Sequence, residues 1–225
     1  MSKIIVALDL ERKEAIELAK RLDPNLCKIK VGSELFTSSG PKIIEDLKKI
    51  GFDIFLDLKF HDIPNTVASA VREASNLGVW MLNIHTSGGR QMMMSAVEAL
   101  NQDMKPILIG VTVLTSIGKE EAENIGMNRI EDHALSLAKL AKESGLDGIV
   151  CSPKEVKKIK EICGRNFIAV TPGIRLLNDS EDDQNRISSP REAIMNGSDF
   201  LVIGRPITRS PNPLKSLDSI INGLI

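Results

Sequence analysis

The chain carries almost no net charge: 29 Lys and Arg against 30 Asp and Glu leave a formal balance of −1. Nothing global draws it towards nucleic acid or an anionic membrane, so any anion site has to be built locally. Cysteine is scarce. Cys27, Cys151 and Cys163 are too few and too scattered for a disulfide framework or a zinc site, and such thiols belong to a reducing compartment, here the cytoplasm. Long hydrophobic runs are missing as well. The opening MSKIIVALDL has an apolar stretch of about five residues before Asp9, too short for a signal-peptide core, and no later stretch reaches membrane-spanning length. No GxGxxG follows the first strand candidate and no GxxxxGK[ST] occurs, so a dinucleotide or nucleoside triphosphate is unsupported. His61, His85 and His133 have no i, i+4 partner, and no metal site is expected. No linker, low-complexity tract or composition break divides residues 1–225, which predicts one domain.

What the chain does have is a 42% hydrophobic content, ample for a sizeable core, dealt out in short runs. Strands are expected at 4–8, 27–31, 54–58, 81–85, 107–113, 148–151, 167–170 and 200–203. Amphipathic stretches lie between and after them at 12–22, 41–50, 64–77, 90–100, 129–143, 153–162, 190–195 and 213–221. Near-continuous hydrophobicity within the strands argues for a parallel sheet covered by helices. Eight βα pairs in 225 residues is the arithmetic of an α/β protein with a single (β/α)8, or TIM, barrel, for which about 250 residues is typical. A doubly wound sheet is the runner-up.

A barrel demands that polar functional residues gather at the C-terminal ends of its strands. They do: Asp9, Lys30, Asp57 with Lys59, His85, Thr115-Ser116, Pro172 to Arg175, and Gly204-Arg205 all fall there, and the opposite ends show no comparable collection. The most telling segment is FLDLKFHDIPNT, residues 55–66. Strand alternation puts Asp57 and Lys59 on one face, and Asp62 follows. Two carboxylates around an ammonium in a confined site are strongly coupled and costly to bury unless they compensate one another. The plain alternative is a strand-end salt bridge, with Asp62 as an N-cap before Ile63-Pro64.

After the seventh and eighth strands come Thr171-Pro172-Gly173-Ile174-Arg175 and Gly204-Arg205-Pro206-Ile207-Thr208. Barrels often hold phosphate in these two loops, where glycine admits the backbone and arginine supplies a bidentate cation. Residues 176–189 between them are polar, aperiodic and long for a βα connection, which reads as a lid, with Gln184 the candidate to touch the phosphate. For His85 a supporting role in the site and a core hydrogen bond both stay open. Cys151, with no base evident beside it, reads as structural.

Together, Val6-Ala7-Leu8-Asp9, Lys30-Val31-Gly32, the DxKxxDIPNT run from Asp57 to Thr66, Leu114-Thr115-Ser116 and the two loops closely resemble the orotidine 5′-phosphate decarboxylase family, in the family's order and over nearly the whole chain. The resemblance implies decarboxylation of orotidine 5′-monophosphate to uridine 5′-monophosphate without metal or cofactor. It implies that Lys59 is the ammonium beside the pyrimidine C6 and its proton donor, with Asp57 near the departing carboxylate. Lys30 and Asp62 would complete an alternating array, with Asp62, Ile63 and Thr66 reaching across a homodimer interface. Asp9 and Lys30 would hold the ribose, Thr115 and Ser116 the pyrimidine edge, and Gln184, Arg175, Gly204 and Arg205 the phosphate, with Pro172 a further substrate contact. Two rivals remain: an Mg²⁺-dependent sugar-phosphate decarboxylase or aldolase of the same barrel group, which carries an acidic ligand where this chain has Lys30, and a non-catalytic nucleotide-binding barrel.

Overall fold

A computed structural model describes residues 2–100, 105–174 and 188–224. Eight strands form: β1 (Ile4–Ala7), β2 (Lys28–Gly32), β3 (Ile54–Phe60), β4 (Met81–His85), β5 (Ile107–Val111), β6 (Gly148–Val150), β7 (Ile168–Thr171) and β8 (Phe200–Ile203). All neighbouring pairs are parallel, and β8 returns to β1, closing the barrel in chain order. The barrel expected from the βα arithmetic is thus the observed fold.

The helices described are α1 (Arg12–Ala19), α2 (Ser33–Ser39), α3 (Lys42–Ile50), α4 (Pro64–Asn76), α5 (Gly89–Glu98), α6 (Lys119–Asn124), α7 (Ile130–Glu143), α8 (Val156–Cys163), α9 (Pro190–Met195), α10 (Arg205–Thr208) and α11 (Pro213–Asn222). Of these, α2, α6 and α10 lie where no helix was expected. Each is short, and each buries a single residue (Leu35, Ala122 and Ile207), too little for a periodic signal. The longer helices follow their sequences closely. α4 starts with Pro64, whose fixed φ suits the first turn, and buries Val67, Ala68, Val71 and Ala74 along one stripe. α3 buries Ile43, Ile44 and Leu47 and stops at Gly51, where φ of 111° suits only glycine. α9 opens with a capping box in which Ser189 accepts from the Glu192 amide and Glu192 reaches back.

Strand alternation sorts the core into two shells. Ile54 and Leu56 of β3 face outward into the large helix-covered cluster with Ile4, Val6, Ile29, Val31, Leu82 and Ile84. Phe55 faces inward with Ile5, Ala7, Met81, Ile109, Val170 and Val202, filling the barrel. Burying each such Ile or Leu contributes about 1.5–3 kcal/mol, so both shells favour the same strand register. Lys30, Asp57 and Asn83 continue the inward rows of β2, β3 and β4 towards the C-terminal mouth, above this apolar plug.

The other end of the barrel is more charged than expected. Lys28 lies 2.5 Å from Asp53 and over the Trp80 ring at 4.3 Å, Lys160 lies 2.6 Å from Asp199, and Lys105 lies 3.5 Å from Asp147. Asp147 and Asp199 also accept from the Leu108 and Ala169 amides at 2.8 and 2.7 Å. These carboxylates sit just before β6 and β8 and clip neighbouring strands together. Charge at a strand end marks a site only where it is gathered around a cavity, and here it is spent on closing the barrel.

Candidate active site

The end of β3 departs from a regular strand. Leu56 pairs with Leu82 and Phe60 with Ile84, so four steps along β3 match two along β4 and residues 57–59 bulge from the ladder. Lys59 has φ of 51°, the one non-glycine with positive φ among the described residues. Such a conformation costs roughly 1–3 kcal/mol and persists where its surroundings over-determine it. Simple alternation, expected to align Asp57 with Lys59, is therefore broken, yet the bulge delivers the two side chains to each other by another route. Lys59 Nζ lies 2.7 Å from Asp57 Oδ1.

The pair belongs to a chain of alternating charge. Lys30 Nζ lies 3.3 Å from Asp57 Oδ2 and 3.1 Å from Asp9 Oδ1. The two middle side chains are about as hidden as the core, at 10% and 11% exposure, whereas Lys59 keeps 33% and Asp9 60%. Burial alone would push the Asp57 carboxyl up, but Lys30 and Lys59, with hydrogen bonds from Lys59 and Asn83, hold it below the usual range. Burial likewise pulls the Lys30 ammonium down, and Asp57 and Asp9 more than restore it, leaving it raised. Each buried charge thus faces charges of opposite sign on two sides, which offsets much of its desolvation cost. Gly32 makes room for this: a Cβ there would sit 2.9 Å from Lys30 Nζ and 3.3 Å from Asp9 Oδ1.

These residues open into a cavity of about 520 Å³ at the C-terminal mouth. Asp9, Lys30, Asp57, Lys59, Thr115, Ser116, Pro172, Gly204 and Arg205 all line it, as does Cys151. The cavity wall also includes Glu34, Thr208 and Arg209, which sequence reasoning did not single out as site residues. Asp62, Ile63 and Thr66 are not brought into it; they stand on the outer surface, with Ile63 67% exposed. Nor is Asp62 the N-cap of α4. Ile63 occupies that position without a side-chain cap, and Asp62 instead accepts from the Ile63 amide at 2.6 Å. Arg175 and Gln184 lie outside the described residues, as does 176–187 of the expected lid; the described residues on either side, Ile174 and Ser188, form a bridge.

Two neighbours complete the picture. His85 lies against His61 with ring centroids 5.4 Å apart and the planes tilted by 36°, and burial, with the nearby His61 and Lys59, lowers its pKa and favours the neutral ring. Asn83 was missed. Wholly buried on the inward face of β4, it donates from Nδ2 to Asp57 Oδ1 at 2.7 Å and accepts at Oδ1 from the Lys59 amide at 2.8 Å. A polar amide between Leu82 and Ile84, inside the apolar part of the strand before His85, was the signal that could have found it.

The arrangement offers a preorganised ammonium beside a carboxylate, in a cavity whose wall also holds Arg205 and Arg209. Its match to known proteins is specific. The family model described as orotidine 5′-phosphate decarboxylase / HUMPS family matches residues 2–220. A protein of Legionella pneumophila (strain Corby) named orotidine 5′-phosphate decarboxylase is 53% identical over 226 residues, covering 99% of each chain. One of the same name from Laribacter hongkongensis (strain HLHK9) is 52% identical over 226 residues, covering 100% of this chain and 93% of that one. The crystal structure of orotidine 5′-phosphate decarboxylase from Lactobacillus acidophilus superposes with a TM-score of 0.88 at 39% identity, covering 100% of this chain and 99% of that one. With sequence, barrel and family model agreeing over almost its full length, this chain belongs to the orotidine 5′-phosphate decarboxylase / HUMPS family.

Proposed function

We propose that the chain is a carboxy-lyase that converts orotidine 5′-monophosphate to uridine 5′-monophosphate and CO₂, the last step of de novo pyrimidine nucleotide synthesis, without metal or organic cofactor. The observation that carries this reading is the Lys59 ammonium, held 2.7 Å from Asp57 at the mouth of the barrel. Breaking the C6–carboxyl bond leaves its electron pair on a ring carbon, and a fixed cation aimed there stabilises the developing charge without reorganising. A proton then passes from Lys59 Nζ to C6, and the amine regains one from solvent. Asp57 fixes Lys59 and faces the substrate carboxylate, favouring its departure as neutral CO₂. Asp9 and Lys30 take the ribose hydroxyls, Thr115 and Ser116 the pyrimidine edge, and Gly204 and Arg205 the phosphate, with Pro172 packing beside it. Arg175 and Gln184 are assigned to the phosphate on the family resemblance. Binding energy from that remote group contributes to the transition state at C6.

Asp62, Ile63 and Thr66 enter the proposal as a partner's contribution. They are exposed on their own chain and absent from its cavity, and an isoleucine 67% exposed beside the site is what a subunit interface would cover. A homodimer with shared sites, a single 1–225 domain and a cytoplasmic location complete the reading; among the described residues no helix is long and apolar enough to cross a membrane. Because the family description also names HUMPS, an Mg²⁺-dependent sugar-phosphate reaction is the second reading. Lys30, clasped between Asp57 and Asp9, argues against it by setting a cation where a divalent ion would need oxygen ligands. Loss of orotidine 5′-monophosphate absorbance, followed with and without EDTA, separates the two.

A further inference from the structure

We propose that Asn83 is a positioning residue for the reaction, setting the angle and spacing of the Asp57–Lys59 pair from behind. The inference rests on the decarboxylase reading. Three observations carry it. First, Asn83 lies opposite the bulge: its neighbours Leu82 and Ile84 pair with Leu56 and Phe60, while residues 57–59 have no ladder partners on β4. Its carboxamide takes their place, accepting from the Lys59 amide at 2.8 Å. Second, the opposite end of the same carboxamide donates to Asp57 Oδ1 at 2.7 Å, the oxygen that also meets Lys59 Nζ at 2.7 Å. Third, Asn83 is fully buried and absent from the cavity wall, so it acts through these two residues and not on substrate.

The chemistry of the amide makes the arrangement directional. A carboxylate only accepts and a backbone N–H only donates, so the group between them must present a donor one way and an acceptor the other. Among side chains of this length a carboxamide alone does so at every pH. The left-handed backbone at Lys59, costly for a lysine, is retained because Asn83 satisfies its otherwise unpaired amide. Asp57, held on one oxygen by Lys30 and on the other by Asn83 and Lys59, cannot rotate away from the reacting centre. A small displacement of such a pair is expensive in rate, because the charge must be aimed before the bond breaks.

The test compares the parent enzyme with Asn83→Leu, similar in size but unable to make either bond. Removing a hydrogen bond to a charged group should lower kcat roughly ten- to a hundredfold. Affinity for UMP, which has no carboxylate and is gripped at phosphate, ribose and pyrimidine edge, should stay within about threefold. By NMR the Lys59 amide should lose its protection from exchange, and the Asp57 carboxyl should titrate higher without the donor that favours its anion. Should Asn83→Leu not fold, Asn83→Asp at pH 8 takes its place: it keeps the acceptor and turns the donor into a like charge, so kcat should fall while Lys59 amide protection persists. The proposal is overturned if kcat stays within about threefold of the parent, or if kcat and UMP affinity fall by one common factor. If the parent itself fails to decarboxylate, the functional reading is wrong. Lys59 exchange and Asp57 titration then still decide whether Asn83 holds the pair.

Discussion

Asp57→Asn is the perturbation that bears hardest on the charge array. The substitution keeps the shape and leaves one oxygen to accept from Asn83, but the new amide nitrogen turns a donor towards the place where Lys30 lies 3.3 Å away. Removing one partner of a buried ion pair typically costs 3–5 kcal/mol, because the other charge is left uncompensated. Lys30 retains Asp9 at 3.1 Å, and Lys59, 33% exposed, can turn to water, so the lower end of that range applies, about 3 kcal/mol. For a chain of this length each kcal/mol moves Tm by about 2–4 °C, giving a fall of roughly 6–12 °C. Thermal unfolding by circular dichroism at pH 7 and matched protein concentration measures it. The pH dependence adds a second check. Asp57 is held below its usual range when folded, so its stabilisation is present above the unfolded value of about 3.9 and is lost as pH falls through the lower folded one. The gap between parent and variant should persist at pH 5 and close only below about pH 4. Adding Lys30→Met should recover part of the loss by removing the stranded ammonium. A shift under about 2 °C, or a double variant no better than the sum of the singles, would refute the compensation argument.

Other predictions concern the substrate and the partner. Arg205→Ala, and Gln184→Ala on the strength of the family resemblance, should lower kcat/KM for the nucleotide while barely changing it for the dephosphorylated nucleoside; equal losses on both would assign them to scaffold integrity. Lys59→Ala mixed with Asp62→Ala, each nearly inactive alone, should regain activity once subunits exchange, because about a quarter of all sites in a randomly exchanged dimer are then intact. Demonstrated exchange without recovery would place Asp62 within its own chain.

The barrel was legible because its signals are local and repeated: short apolar runs, helical stripes such as that of α4, and glycine stops such as Gly51. Cavity residues at the strand ends were legible for the same reason, since a polar side chain after Ile-Val-Leu needs an explanation wherever it occurs. Relations between strands were not. The bulge that brings Lys59 to Asp57 depends on how β3 pairs with β4, and its keeper, Asn83, sits 24 residues away from the amide it satisfies. Asp62 looked like a cap because Pro64 follows, but the chain enters α4 through Ile63 in an extended conformation and leaves Asp62 outside. The charges at the base of the barrel went unremarked because Lys28 and Asp53, or Lys160 and Asp199, are far apart in sequence and become partners only when the strands close.

The central claim is that Lys59, steadied by Asp57, does the chemistry without a metal. Its most direct test is single-substrate turnover of orotidine 5′-monophosphate by parent and Lys59→Ala enzymes, each in excess EDTA. The account predicts unchanged parent activity and a fall of several powers of ten in the variant, with its circular dichroism intact. A loss of only about tenfold, equivalent to ~1.4 kcal/mol of barrier, would return Lys59 to an ordinary salt bridge, and activity abolished by EDTA and restored by Mg²⁺ would contradict the account outright.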